Sequence, residues 1–336
     1  MNHARLFITC LAALALPGAK ADAQGFPVAA VDSVRGLAAA GRPGAALELG
    51  RASAAAHPSE AAAYAALAIG AMAAERFDEA IRAADRMLAL TPDVSAWQLV
   101  YGQAYLSHAR AAPSLAAIGR AKRGRAAVQR AIELDGDNLD ARYTLMQFLL
   151  QAPGVAGGSR KKAEGEAREI ERRDPVRGLR ARLEIATASG KTSRIRAVIE
   201  DALTVVGRVP DATPELYGAL FLAAGALDDH GLRENLTARL YAARPEDPVA
   251  AYHRARLWII EGDRLPEAEK LLLGYLEGPE RRGGAASRAA AHWRLARLYE
   301  RQNRDELARR QYRLAASLDP RLRAGGRLPP RLEARL

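Results

Sequence analysis

Small and apolar residues recur every three or four positions from Val31 to Pro320, and short clusters of Gly, Pro, Asp and Asn interrupt them. That period places the apolar residues on one face of a helix, and the interruptions mark where each helix stops. The rhythm predicts helices in consecutive pairs, over 31–58, 61–94, 95–138, 139–176, 177–208, 213–244, 249–282 and 289–322. The first pair is short and turns at Gly41-Arg42-Pro43-Gly44. Two pairs are stretched. In 95–138 about ten extra residues fall around His108–Ser114, and in 139–176 the excess is the loop from Ala152 to Gly158. Alanine is abundant while Val, Ile, Thr and aromatics are scarce, which favours helix over sheet.

The pairs repeat. In the window Ala289–Leu322, Leu295, Ala296, Tyr299, Ala308, Tyr312, Ala315 and Pro320 stand at positions 7, 8, 11, 20, 24, 27 and 32. In Ala61–Val94, Tyr64, Leu67, Ala68, Ala71, Ala80, Ala84 and Pro92 stand at positions 4, 7, 8, 11, 20, 24 and 32. Val249–Arg282 follows with Tyr252, Ala255, Ile259 and Ala268, although Arg256 replaces the small residue at position 8. Small residues at positions 8 and 20 let two helix backbones approach closely, and the late proline ends the second helix. This pattern resembles the tetratricopeptide repeat (TPR), a helix–turn–helix unit, and the feature order is similar to exported bacterial members of that family. The resemblance implies an all-α, right-handed TPR-like superhelical solenoid of about eight helical hairpins. The span 24–320 reads as that solenoid, with 61–94, 249–282 and 289–322 its best repeats and 321–336 a basic C-terminal tail.

Composition narrows the class. The chain has 336 residues, is 49% hydrophobic and carries a formal net charge of +11. Its mean hydropathy is −0.18 and no apolar run approaches 18 residues, which excludes a polytopic membrane protein. Its single cysteine excludes a disulfide scaffold and a Cys-based zinc site. Residues 1–23 read as a secretory signal: Arg5, an apolar stretch Leu6–Leu16, then Ala21-Asp22-Ala23 with small residues where a peptidase cleaves. The alternative is a short N-terminal anchor. Cys10 lacks the small preceding residue of a lipoprotein. The expectation is export, to the periplasm, with cleavage near Ala23.

Motifs that carry chemistry elsewhere have ordinary readings here. Gly190-Lys191-Thr192 ends like a phosphate loop, but Ile185 stands where the other glycine belongs and a helix precedes it. Ser159 and Lys162 have serine-acylase spacing, yet Ser159 sits where a helix cap belongs. Asp135, Asp137 and Asp140 lack calcium-loop spacing, and Asp137 or Asn138 caps the next helix. His57, His108, His230, His253 and His292 are never three or four residues apart. No catalytic residue, metal or cofactor is expected. The loop 153–158 followed by Arg160, Lys161 and Lys162 is an anion-site candidate or a turn before a solvated basic face.

Charge is clustered at Arg120, Lys122, Arg123, Arg125 and Arg130, and again at Arg321, Arg323, Arg327, Arg331 and Arg335. These stretches lack interleaved aromatics, which argues against nucleic acid. The family resemblance implies that window positions 5, 9, 12 and 13 line a groove. Here they are Gln103, Tyr143, Gln147, Gln151, His253, Trp293, Arg297, Glu300 and Arg301, with apolar Ala65, Ile69, Met72 and Ala73 toward the N-terminus. The function expected is a non-enzymatic scaffold that binds a protein or peptide partner there. The alternative is a basic module for anionic cell-envelope polysaccharide or lipid, and a hydrolase at Ser159–Lys162 is the third.

Overall fold

A computed structural model describes residues 27–112, 114–206, 214–227, 229–243, 246–278 and 287–319. The signal segment 1–23 and the tail 321–336 lie outside the described residues. By Cα packing the chain divides into two compact units, residues 1–202 and 203–336. Every regular element among the described residues is helical, and the helices come in the expected pairs. They are α1 (Pro27–Ala39), α2 (Pro43–Ala56), α3 (Ala61–Ala73), α4 (Phe77–Leu90), α5 (Ser95–Ala111), α6 (Leu115–Leu134), α7 (Leu139–Gln151), α8 (Arg160–Arg173), α9 (Pro175–Ser189), α10 (Thr192–Val206), α11 (Pro214–Ala226), α12 (His230–Ala243), α13 (Pro248–Glu261), α14 (Leu265–Glu277), α15 (Arg288–Arg301) and α16 (Asp305–Leu318). A single 3-10 turn, Gly154–Ala156, lies in the α7–α8 loop. The fold is an all-α, TPR-like helical repeat.

One backbone device closes four of the hairpins. Gly41, Glu75 and Asn303 have φ of 72°, 59° and 55°, and each directly follows the last turn of the first helix of its pair. The next residue's N–H reaches back five positions: Arg42 to the Leu37 carbonyl, Arg76 to Ala71 and Arg304 to Tyr299, at 2.8–2.9 Å. That bond satisfies a carbonyl the helix end would leave open. The α13–α14 turn uses Gly262 in the same way, then adds a second left-handed residue, Arg264. Two of the turns between pairs, before α7 and α9, use side-chain caps instead. Asn138 accepts from the Ala141 N–H at 2.9 Å. Asp174 accepts from Val176 and Arg177 at 3.0 and 2.9 Å, with Pro175 opening α9.

In the first unit each helix from α1 to α8 packs on the next one in the chain. Successive odd helices also touch, α1 on α3, α3 on α5, α5 on α7 and α7 on α9, while even helices touch one another marginally at most. The odd helices therefore form the inner face of this unit. Close approach is real where small residues predicted it. A Cβ on Gly102 would stand 2.5 Å from Val128 Cγ2 and 2.8 Å from the Gly124 carbonyl oxygen, and one on Gly124 would stand 2.8 Å from the Gly102 oxygen. Ala68 and Ala80 are fully buried, as are Ala296 and Ala308 in the second unit. There the core is Tyr252, Ala255, Ile259, Leu272, Leu295, Leu298, Tyr299 and Tyr312 with their neighbours.

The structure shows what one stretch is made of. The surplus in 95–138 falls around His108–Ser114, as expected, and is helical: α5 has 17 residues and α6 has 20. Alanine, leucine and arginine around the turn are good helix formers, so both helices simply continue.

Candidate functional site

The inner face of the first unit carries a polar network that joins four helices. From α7, Tyr143 donates to Glu184 of α9 at 2.6 Å, and Gln147 Nε2 donates to the same carboxylate at 3.1 Å. Arg180 lies over the Tyr143 ring, 4.5 Å from its centre. Asp140, one turn earlier on α7, pairs with Arg177 of α9 at 3.0 Å. Gln103 of α5 donates to Thr144 Oγ1 of α7 at 3.4 Å. Arg35 reaches this group from α1, close enough to attract Asp140 electrostatically.

Burial governs the charges. It pushes the Asp140 carboxyl above the ordinary aspartate value, against the pull of Arg177, Arg35 and Arg180. It also pushes the Arg35 guanidinium down, against Asp32 and Asp140. Three buried polar atoms here have no hydrogen-bond partner within the chain: Arg35 Nε, Gln103 Oε1 and Asp140 Oδ2. They come from α1, α5 and α7. Such atoms cost free energy unless a ligand or ordered water satisfies them.

Gln103, Tyr143 and Gln147 thus stand together in one unit, and Gln151 is exposed at the end of α7. The apolar positions of α3 offer little surface: Ala65, Ile69 and Met72 are buried and only Ala73 is half-buried. Arg35, Asp140, Arg180 and Glu184 were not anticipated. Arg35 lies at position 5 of a window starting at Val31, so the signal existed, but the short first pair lacks the anchors that fix register.

In the second unit the groove candidates are engaged within the fold. His253 is 7% exposed and edge-on to the Tyr252 ring at 5.3 Å. Burial, with Arg256 of α13 and Arg294 of α15, lowers its pKa to about 3. It packs inside rather than lining a surface. Trp293 is half-buried, edge-on to Tyr312 with ring centres 4.7 Å apart. Arg301 Nη2 donates to the Ile260 carbonyl at 2.9 Å, capping the end of α13. Arg297 pairs with Glu300 at 3.0 Å, and buried Glu300 also accepts from Tyr312 at 2.8 Å. Tyr299 donates to Glu269 at 2.7 Å, and burial pushes its hydroxyl up to about 12.

The remaining motifs resolve locally. Ser159 caps α8, accepting from the Lys162 N–H at 3.4 Å. Gly190 is the left-handed end of α9, and helix rather than strand precedes it. Asp137 pairs with Arg173 at 2.9 Å. Among the described residues no group of three His, Cys, Asp or Glu side chains is placed to hold a metal ion.

No protein-family profile matches the chain, and no curated protein does. Solved structures similar to it include the thermophilic TPR protein TTC0263 of Thermus thermophilus, at 16% identity and a TM-score of 0.44, covering 69% of this chain and 96% of that one. A tetratricopeptide repeat protein of Parabacteroides merdae shares 11% identity at a TM-score of 0.41, covering 87% and 93% of the two chains. PilF of Pseudomonas aeruginosa shares 14% identity at a TM-score of 0.37, covering 79% and 93%.

Proposed function

We propose that this chain is a non-catalytic scaffold whose first unit holds an extended peptide segment of a partner protein on the inner face of its odd helices. The observation that carries the reading is the set of unpartnered buried atoms, Arg35 Nε, Gln103 Oε1 and Asp140 Oδ2, beside the Tyr143–Glu184–Gln147 cluster. The network already fixes the side chains, so little rotamer freedom is lost when a peptide arrives. Its three arginines, Arg35, Arg177 and Arg180, face two carboxylates, Asp140 and Glu184, and that near balance favours a polar main chain over a highly charged ligand.

Photo-crosslinking in cells tests this. A benzophenone side chain in place of Gln151, at the inner face, is expected to trap one recurrent protein; the same group in place of Gln129, exposed on even-numbered α6, is expected to trap none. Gln103→Met keeps the volume and removes the buried acceptor, and should reduce the adduct about tenfold, as losing one hydrogen bond to a desolvated group does. Equal adducts at both positions would count against the groove.

We also propose that the scaffold acts after export, on the strength of the sequence of residues 1–23. N-terminal sequencing of the protein from its native source tests that reading, with Gln24 the expected first residue.

A further inference from the structure

The two ends of the first unit differ in charge and in apolarity. Turns between pairs carry Glu60, Asp93, Asp135, Asp137 and Asp174, with Arg130, Arg172 and Arg173 beside them offsetting part of that charge. Turns within pairs, at the opposite end, carry exposed Arg42, Arg76, Arg110, Arg160, Lys161, Lys162 and Lys191, with Glu75 and Asp78 as the acids nearby. From Val94 to Ile132 the chain has no acidic residue, and none from Ala141 to Ala163. Those two segments contain the α5–α6 and α7–α8 turns.

The α5–α6 hairpin also projects. Gly102 stands as far from the start of α5 as Ala68 does from the start of α3, so the extra residues lie at the turn end. Against 13 residues in α3 and 14 in α4, the 17 of α5 and 20 of α6 carry the tip roughly 6–9 Å further at 1.5 Å per residue. At the tip is Leu115, 89% exposed, between exposed Ala111, Ala112 and Ala116. The neighbouring loop packs against α6 and presents Val155, 76% exposed. These are the two most exposed large apolar side chains among the described residues, and both lie at the cation-rich end.

We propose that this end of the first unit docks on an anionic lipid bilayer, with Leu115 and Val155 inserted among the acyl chains and Arg110, Arg120, Lys122, Arg160, Lys161 and Lys162 against the headgroups. Aliphatic tips with nothing over them are wasted against water and against a charged protein surface, whereas hydrocarbon below a layer of phosphates satisfies tips and cations together. No described helix is long and apolar enough to cross a membrane. It uses a different face from the peptide groove, so either proposal can fail without the other.

The test is co-sedimentation of the full chain with vesicles of phosphatidylcholine alone or of phosphatidylcholine mixed with phosphatidylglycerol, which gives the surface a negative potential. Binding is expected only to the anionic vesicles and should fall steeply with salt. Leu115→Ser with Val155→Ser should lower it at least tenfold, and Lys161→Glu with Lys162→Glu should lower it by as much; all four positions are exposed, and circular dichroism checks the fold. Leu115→Trp should gain emission that brominated lipid quenches. Equal sedimentation with both vesicles, unquenched Leu115→Trp emission, or retention on immobilised poly-glutamate without vesicle binding would each overturn the proposal, the last in favour of an acidic protein.

Discussion

At Gly102 one methyl group decides whether two helices fit. Its Cβ would meet Val128 Cγ2 at 2.5 Å and the Gly124 carbonyl oxygen at 2.8 Å, and backbone atoms of a packed helix have nowhere to go. Gly102→Ala should therefore cost about 2–3 kcal/mol in denaturant unfolding. Gly119, on exposed α6 surface, has nothing within 4 Å of its Cβ position, and Gly119→Ala should add about 0.5–1 kcal/mol. If both substitutions behave alike, close approach is not what position 8 does. His253 makes a pH prediction. Its pKa is lowered from 6.5 to about 3, so the unfolded chain takes up a proton where the folded one does not. Stability from this group is whole above pH 6.5 and drains as pH falls toward 3, by up to about 1.4 kcal/mol per pH unit. His253→Leu should flatten the decline of Tm between pH 6.5 and 4 relative to the parent protein. Identical slopes would show that His253 ionises freely. The sequence placed His253 on an open face because window counting sees spacing; it does not see that α15 brings Arg294 alongside.

Elements were legible where their ends carry chemistry. The helix ends at Thr91-Pro92-Asp93, Asp174-Pro175 and Gly190 show in the residues themselves, because cap acceptors, proline and left-handed glycine each fix a local geometry. The surplus in 95–138 was legible in its place but not in its form, because a helix that runs on past its usual length leaves no mark: the same good helix formers fill it. The inner-face network was half legible for the same reason. Tyr143 and Gln147 follow anchored positions, whereas Arg35 and Glu184 belong to degenerate pairs with nothing to count from. Glu75 offers a test at this scale. It occupies the left-handed position that glycine fills at Gly41 and Gly262, with φ of 59°, and a side chain there costs about 1 kcal/mol. Glu75→Gly should raise stability by roughly that amount despite the greater freedom of the unfolded chain. Asp174→Ala should do the reverse. It removes two cap hydrogen bonds, at 3.0 and 2.9 Å, and should cost about 1 kcal/mol.

At the scale of the whole molecule the arithmetic of repeats predicts how damage spreads. Each helix in either unit packs on helices one or two places away in the chain, and the cores are correspondingly separate: one centred on α1–α5, one on α5–α9 and one on α13–α16. The α5–α6 hairpin is shared by the first two, giving Tyr101, Tyr105 and Ala127 to one and Leu99, Val128 and Ala131 to the other. A chain held this way loses structure nearest the lesion first, since no distant contact reports it. Leu183 and Leu295 are both fully buried, in α9 and α15. Cutting either to alanine removes comparable apolar volume, at about 3 kcal/mol. Hydrogen exchange read by mass spectrometry separates local from global response. Leu295→Ala should accelerate exchange across 248–319 and leave α1–α6 at the parent rate; Leu183→Ala should accelerate α7–α10 and spare α13–α16. A uniform rise across the chain in either variant would mean a single cooperative core, and with it the physics of a globule rather than of stacked hairpins.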